Sequence, residues 1–306
     1  MKRVLLLICL VFAAPIAFDI GSAPAAAEEA SKKKKKDTRR MPAITERTYK
    51  ALASAQALID PESIAEEDRK KNWDPTPRPR EGIQVLLDML DRRSLNSYEA
   101  AQIWNLLAFG YYTIEDTAKT IDAYENLLAQ EKITLALELS ALRALYQLYY
   151  AGEKYLESIE YMDKYLALKE EADPQISYLK ANAYFQMKDW NKSLEMALQC
   201  EQEAIDLGKE VKESWLYLQV VLYSELKRPV DTIRVLETLV VRFPKKQYWM
   251  HLAGLYSEEE AEDRALSAFY AAYVQGMLTR ENEVVMLAQR LLSQEVPYEA
   301  ASVLES

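Results

Sequence analysis

Few side chains in this sequence could do acid–base or nucleophilic chemistry. The 306 residues contain one histidine, His251, and two cysteines, Cys9 and Cys200. Histidine is the usual proton carrier near neutral pH, but His251 lies between Trp249 and Leu252 in a helical pattern, which favours a surface position over a catalytic one. One histidine and two distant cysteines also cannot supply the ligands of a typical zinc site.

Other signals of catalysis are equally weak. The chain has no glycine-rich phosphate loop. Three consecutive acids, Glu258, Glu259 and Glu260, are expected in a solvated turn. Asn191 and Ser193 fit a glycosylation sequon, but the helical pattern described below gives Ser193 a buried position. We therefore expect a protein that is not an enzyme and that holds no metal or cofactor.

The spacing of large and small apolar residues indicates pairs of packed helices. Between positions 249 and 272 the residues on the predicted helix faces are Trp249, Leu252, Ala253, Tyr256, Ala265, Phe269 and Ala272. Ala253 and Ala265 fit the point where two helices cross closely, because only a small side chain leaves room there. This order of large and small residues is the tetratricopeptide signature, a helix–turn–helix unit of about 34 residues.

The same pattern recurs in phase along the chain. Its anchor residues are Trp104, Leu142, Ser177, Leu216, Trp249 and Val284. Their spacings of 38, 35, 39, 33 and 35 residues lie near the expected period. No run alternates with the period of a strand. The sequence predicts an all-α fold, a right-handed α-solenoid of tetratricopeptide units, with five full repeats and a truncated sixth in residues 95–306. Because that last unit lacks a capping helix, we expect a longer native chain or a partner over its end.

An earlier unit is predicted at 45–94. Its first helix runs from about Thr45 to Ile59, with Tyr49, Leu52 and Ala53 at the repeat spacing. An insertion at 61–79 follows, with a charged helical piece at 62–71 and alternating prolines that favour an extended chain. The insertion is either a binding loop or a spacer. Ser97 is expected to cap the next helix. Asp173, followed by Pro174 at the first helical position, is expected to cap the helix that opens the fourth unit.

The N-terminal region has the composition of a secretory leader. Residues 1–27 combine a basic start, an apolar run and a cleavage site of small residues that ends at Ala27. This predicts a cleaved signal peptide and a periplasmic protein; the alternative is an uncleaved membrane anchor. Residues 28–44 are predicted to form a disordered tail. Its lysine run, from Lys32 to Lys36, is either a solvated tail or a contact for anionic lipid or an acidic partner.

Charge is unevenly distributed. The net charge of the chain is −10. The first 40 residues hold nine basic and four acidic side chains, so the remaining chain carries −15. An acidic body argues against nucleic acid as the main ligand.

A binding groove is predicted along the first helices of the repeats. Its inward positions lie two residues before each anchor and one, five and eight residues after it. The partner-binding residues predicted from this register are Asn105, Phe109, Tyr112, Arg143, Gln147, Tyr150, Tyr178, Asn182, Phe185 and Tyr217. Amide and aromatic side chains of this kind suit a protein or an extended peptide. The alternative is that several of the aromatic rings pack on the neighbouring repeat instead.

Three stretches resemble a known bacterial family. LNSYEAAQIWN (95–105), PKKQYWMHLAGLY (244–256) and VPYEAA (296–301) are similar to tetratricopeptide proteins described as components of TonB systems. The resemblance implies an exported periplasmic protein that works beside TonB, ExbB and ExbD in the uptake of iron complexes. It carries over no catalytic residue, and the insertion at 61–79 departs from the family's compact first repeat.

Three functions are therefore considered. The favoured one is a non-catalytic periplasmic scaffold that binds a protein partner as an accessory of such an energy-transduction system. The second is the targeting arm of an envelope enzyme whose catalytic domain lies outside this chain. The third is an assembly factor for envelope polymers or outer-membrane proteins.

Overall fold

The structure is a computed structural model that describes residues 39, 42–64, 69, 73–91 and 94–305. These residues form fourteen α-helices and no strand. The helices are α1 (Glu46–Ile59), α2 (Pro79–Leu90), α3 (Ser97–Thr113), α4 (Thr117–Leu128), α5 (Leu135–Ala151), α6 (Tyr155–Lys169), α7 (Pro174–Gln186), α8 (Trp190–Asp206), α9 (Glu213–Glu225), α10 (Pro229–Arg242), α11 (Lys246–Glu258), α12 (Glu262–Val274), α13 (Glu281–Ser293) and α14 (Pro297–Glu305). None of the described helices is both long enough and apolar enough to cross a membrane.

The helices pack as consecutive hairpins. Each odd-numbered helix lies against the next even-numbered one, and the even-numbered helix then packs on the following hairpin. Contacts therefore run mainly between neighbours in sequence, as they do in a repeat array. The predicted all-α fold is confirmed, and the chain is a tetratricopeptide-repeat solenoid.

The core confirms the register of the repeats. Ala253 and Ala265 are both buried at the crossing of α11 and α12, with Phe269 beside them. In two other hairpins the small residue is a serine whose hydroxyl donates to the facing helix: Ser158 to the Tyr146 carbonyl and Ser193 to the Ala181 carbonyl, each at 2.7 Å. Ser193 is thus buried, as predicted.

The helix caps agree with the sequence at one position and differ at another. Asp173 caps α7 as predicted, since its side chain accepts from the Gln175 backbone N–H and Pro174 occupies the first turn. The prediction that Ser97 caps α3 is wrong. The cap is Asn96, whose side chain accepts from the Glu99 N–H while the Glu99 carboxylate accepts from the Asn96 N–H. This reciprocal pair satisfies two helix-end donors, which a cap at Ser97 would not do.

The packing face of α1 also differs from the prediction. Tyr49 is 54% exposed and Ala53 is exposed as well. The residues that α1 buries are Thr48, Leu52, Ala55 and Ile59. Leu52 lies on the predicted face with Tyr49 and on the observed face with Thr48. The apolar pattern of α1 alone therefore does not determine which face packs. The partner helix decides it, because Gly82 of α2 lets Ile59 approach closely.

This close approach gives a paired prediction at two glycines. In Gly82→Ala the new Cβ would lie 2.7 Å from Ile59 Cγ1 and 2.8 Å from the Ala55 carbonyl oxygen. We expect a loss of about 1–3 kcal/mol from overpacking. Gly254→Ala, also within a helix, meets no atom within 4 Å, so it should gain about 0.5–1 kcal/mol. Urea unfolding measures both, and a stabilised Gly82→Ala would refute the packing described here.

The segments before α1 and α2 are described in part. The predicted signal peptide, and the predicted tail except residues 39 and 42–44, lie outside the described residues. Arg39 is bonded to the array: its guanidinium donates to the Ile133 carbonyl at 3.2 Å and pairs with Glu138 at 2.5 Å. The charged helical piece predicted at 62–71 lies mostly outside the described residues, and its start forms a 3-10 turn, Pro61–Ser63. Residues 73–78 are non-helical, as the alternating prolines predict.

Candidate partner-binding stripe

The predicted groove positions lie on five successive odd-numbered helices, α3 to α11. Besides the ten residues predicted to bind a partner, the same register includes Gln102, Ser140, Gln175, Ser214, Val221, Ser224, Gln247, Met250, Gly254 and Ser257. These twenty positions are called the stripe below. None of them is fully buried: each is half-buried or exposed. The helical period explains this, because the other faces of each helix pack within the array.

Helix α9 shows how the sequence leaves one face uncovered. Trp215 and Leu216 are buried in the core. Leu218 and Val220 continue those buried faces. Tyr217, which lies between Leu216 and Leu218 in sequence, is 45% exposed. Tyr112 of α3, at the last stripe position of its helix, is 48% exposed.

Several stripe aromatics also pack against a neighbouring ring. Tyr178 of α7 lies 6.2 Å from Trp215 of α9, and Tyr217 lies 5.9 Å from Tyr248 of α11, between ring centroids. These contacts join consecutive first helices, so the alternative raised from the sequence holds in part. Neither of these two aromatic contacts buries its stripe tyrosine completely.

Two further aromatic contacts lie within single hairpins. Phe185 is 5.1 Å from Trp190, and Tyr150 is 5.4 Å from Tyr155, between centroids. Burial raises the pKa of Tyr150 to about 12, with smaller contributions from neighbouring tyrosines. The Tyr150 hydroxyl therefore stays protonated and neutral at physiological pH, where it can donate a hydrogen bond.

Several polar stripe residues already have hydrogen-bond partners, on their own helix or on another element. The Asn182 amide donates to the Tyr178 carbonyl at 2.7 Å, one turn earlier. Arg143 donates to the Tyr165 hydroxyl at 2.7 Å and lies 5.5 Å from the centre of that ring. At the edges of the stripe, Lys212 bonds Gln175 and Arg290 bonds Ser257. Arg143 thus already has a hydrogen-bond partner within the array.

The stripe is almost free of charged residues. Arg143 is the only charged side chain among the twenty positions. The chain as a whole is 28% charged, so twenty average positions would hold about five or six charges. The acidic character of the protein therefore lies outside the stripe, and the stripe presents amides, hydroxyls and aromatic rings.

A separate cleft of about 690 Å³ lies between α4, α5 and α6 and shares no residue with the stripe. Its carboxylate Glu125 already accepts from the Tyr149 hydroxyl at 2.7 Å and from the Tyr161 hydroxyl at 2.8 Å. The two rings stack with centroids 5.4 Å apart. This arrangement ties three helices together, and both hydroxyls bond the same carboxylate oxygen, Oε1 of Glu125.

The remaining candidate chemical groups are a buried thiol, an exposed imidazole and three exposed carboxylates. Cys200 is fully buried, and burial raises its pKa to about 12, so the thiol stays protonated and unreactive. His251 is exposed on α11, and the three acids Glu258, Glu259 and Glu260 are exposed at its end. Among the described residues no three His, Cys, Asp or Glu side chains are grouped as metal ligands would be.

Sequence reasoning missed the polar links between repeats. Tyr149 and Tyr256 occupy the same repeat position, seven residues after an anchor, and each donates to an acid of the preceding repeat. The acceptors are Glu125 at 2.7 Å and Glu237 at 2.5 Å, both 21 residues after their own anchors. The recurrence of tyrosine and glutamate at these two positions was the signal that could have found them.

The chain matches no protein-family model and no curated protein. Among solved structures, a tetratricopeptide repeat protein from Parabacteroides merdae ATCC 43184 is 13% identical, with 85% of this chain and 91% of that chain covered and a TM-score of 0.45. MamA is 16% identical, covering 57% of this chain and 90% of that chain, with a TM-score of 0.44. The pilF protein of Pseudomonas aeruginosa is 15% identical over 67% and 89% of the two chains, with a TM-score of 0.38. The chain is similar to these proteins in its helical fold.

Proposed function

We propose that this chain is a non-catalytic scaffold that binds a partner polypeptide along the stripe. The observation that carries the proposal is the set of twenty half-buried or exposed positions on five successive odd-numbered helices, rich in amides and aromatic rings. Tyrosine supplies a large, rigid contact area at low entropic cost, and amides can bond the main chain of a ligand. A continuous surface on consecutive helices suits a long, extended ligand better than a small molecule.

The periplasmic location and the role in a TonB system are proposed from the sequence alone. The leader at 1–27 supports export to the periplasm. The three stretches that resemble TonB-associated tetratricopeptide proteins support a role beside TonB, ExbB and ExbD in the uptake of iron complexes. These two parts of the proposal stand independently of the stripe and are tested separately.

Photocrosslinking in cells tests the binding surface. Benzoylphenylalanine placed at Tyr217, which is 45% exposed, should crosslink the full chain to a second polypeptide. The matched control is Tyr298 of α14, which is 83% exposed and lies off the stripe. Equal yields from both positions, or none from Tyr217, would refute the stripe. Recovery of proteins unrelated to TonB would overturn only that part of the proposal.

Truncation of the stripe gives a further prediction. Asn105→Ala with Tyr112→Ala should reduce crosslinking from Tyr217 about tenfold, since truncating a good interface residue costs about 1–2 kcal/mol. Neither side chain is fully buried, so the fold should change little. Tyr298→Ala is the control and should leave the yield unchanged. A full yield from the double variant would show that α3 takes no part in binding.

A further inference from the structure

Resting on the proposed function, we infer that the partner polypeptide binds through an acidic segment whose carboxylates pair with Arg143 and Lys212 beside the start of α7. The proposed function requires only a polypeptide along the stripe, whereas here the charge of the segment and the place where that charge binds are both specified. Three observations support this: the two cations flank the same end of one helix, neither pairs with an acid, and both keep N–H donors for a ligand.

Contacts between neighbouring elements bring both cations to the start of α7. Arg143 of α5 donates to the Tyr165 hydroxyl of α6 at 2.7 Å. This hydrogen bond raises the pKa of Arg143, and the nearby carboxylate of Asp173, the N-cap of α7, raises it further. From the other side Lys212, the N-cap of α9, donates to Gln175 Oε1 in the first turn of α7 at 2.9 Å. Arg143 and Lys212 therefore flank the same end of α7, one from the preceding unit and one from the following unit.

The two cations are not neutralised by an acid among the described residues. Asp173 is already engaged, because its Oδ2 pairs with Lys169 at 3.0 Å and its Oδ1 accepts from the Gln175 backbone N–H at 3.2 Å. Arg143 and Lys212 are both exposed, and their hydrogen bonds go to neutral groups, a tyrosine hydroxyl and a glutamine amide. An acidic segment that binds them therefore breaks no ion pair of the array.

Both cations keep N–H donors for a carboxylate. A guanidinium has five N–H donors and an ammonium has three, whereas Arg143 donates to Tyr165 and Lys212 donates to Gln175. Aromatic rings also support both groups: Arg143 lies 5.5 Å from the centre of the Tyr165 ring, and Lys212 lies 5.1 Å from that of Trp215. These contacts place the cations before a ligand arrives, which lowers the entropic cost of binding. Bonds from such cations to a carboxylate are stronger than bonds between neutral groups.

The α11 end of the stripe does not offer the same chemistry. There the edge cation Arg290 bonds Ser257 and already pairs with Glu262 at 3.6 Å. Beside the start of α7 the stripe instead presents a half-buried aromatic ring, Tyr178, one turn after Gln175. We therefore expect the acids of the partner segment to face the start of α7 rather than the α11 end of the stripe.

Photocrosslinking of the full chain in cells, from benzoylphenylalanine at Tyr178, tests the inference. Mass spectrometry should place at least two Asp or Glu residues within about five residues of the crosslinked residue of the partner. Arg143→Gln with Lys212→Gln should lower the crosslink yield about three- to tenfold, the loss expected when two exposed ion pairs are removed. The matched control is Lys154→Gln with Arg264→Gln, which removes the same charges off the stripe. Lys154 is likewise a helix N-cap over a tyrosine ring, Arg264 likewise lies over a tyrosine ring, and both are exposed. We expect this control to leave the yield unchanged.

A charge swap separates recognition from a loss of folding. Arg143→Glu with Lys212→Glu should abolish the crosslink to the natural partner, and replacing the mapped acids of the partner by Lys should restore it, which a misfolded chain could not do. A crosslinked segment without acids, an equal loss in the control pair, or no rescue by the swapped partner would overturn the inference. If Tyr217 still crosslinks a partner in any of these cases, the scaffold function stands and this inference alone is wrong. No crosslink from either Tyr178 or Tyr217 would refute both.

Discussion

Replacing six residues at the turns within the hairpins by glycine is expected to stabilise the array by about 3–6 kcal/mol. The residues are Glu115, Glu153, Lys188, Lys227, Glu260 and Glu295, each exposed and each with φ between 55° and 61°. Every one of them follows its anchor by 11 residues. Left-handed backbone costs a residue with a Cβ about 1–2 kcal/mol, and glycine gives back part of that gain as lost entropy.

The turns keep their other interactions in the six-glycine variant. Their hydrogen bonds run between main-chain groups, for example from Glu153 N–H to the Tyr150 carbonyl at 3.1 Å. The six sites lie in different repeats, so the effects should add. Thermal and urea unfolding of the full chain measure the gain.

The control makes the same chemical change in a helix. Glu195→Gly, at an exposed position within α8, should lose about 1 kcal/mol. A gain of stability in the six-glycine variant and a loss in Glu195→Gly would support strain at the turns. A loss of stability in both would show that the left-handed conformation does not govern these positions.

Glu99→Gln is expected to destabilise the N-terminal end of the array by about 2–3 kcal/mol. Glu99 is 1% exposed on α3. Its carboxylate accepts from the Thr45 N–H at 2.8 Å, the Thr45 hydroxyl at 2.7 Å and the Asn96 N–H at 3.1 Å. Glutamine would turn an amide donor toward these donors and leave one of them unsatisfied. Hydrogen exchange in α1 and α3 reports the loss.

The effect of Glu99→Gln should depend on pH. Burial pushes the pKa of Glu99 upward, but the bonds from Thr45 and Asn96 outweigh burial and lower its pKa overall. A carboxyl with a lowered folded-state pKa stabilises above its unfolded pKa, near 4.3, and loses that stabilisation as the pH falls through the folded value. The difference between wild type and Glu99→Gln should therefore be full at neutral pH and shrink below about pH 4.

An exposed glutamate serves as the control for this prediction. Glu46 of α1 pairs with Lys50, and both side chains are more than two-thirds exposed. Glu46→Gln should change stability by less than about 0.5 kcal/mol. If it destabilises as much as Glu99→Gln, the buried network is not the cause.

The sequence predicted the array well because one residue pattern specifies both the helices and their packing. Trp249, Ala253 and Phe269 mark two helix faces and the small residue at their crossing, so the period and register follow together. The packing face of α1, in the first unit, was harder to predict. Tyr49 and Thr48 both lie on plausible faces that share Leu52, and only Gly82 on the partner helix distinguishes them.

The surface of the stripe was predictable, but its contacts were not. The helical period shows that Tyr178 and Tyr217 lie outside the faces that form hairpins. Their packing against Trp215 and Tyr248 depends on the distance between successive hairpins, which no single helix pattern contains. The bond from Arg143 to Tyr165 likewise joins two helices through side-chain rotamers.

Site-by-site photocrosslinking along the stripe tests the central claim most directly. Benzoylphenylalanine is placed, one repeat at a time, at Asn105, Gln147, Tyr178, Tyr217 and Met250 of the full chain, and mass spectrometry identifies the crosslinked residue of the partner. An extended polypeptide bound along the stripe predicts that the crosslinked residues advance along the partner sequence in the order of the repeats. Crosslinks that fall on one short site from all five positions, or in no order, would contradict the account.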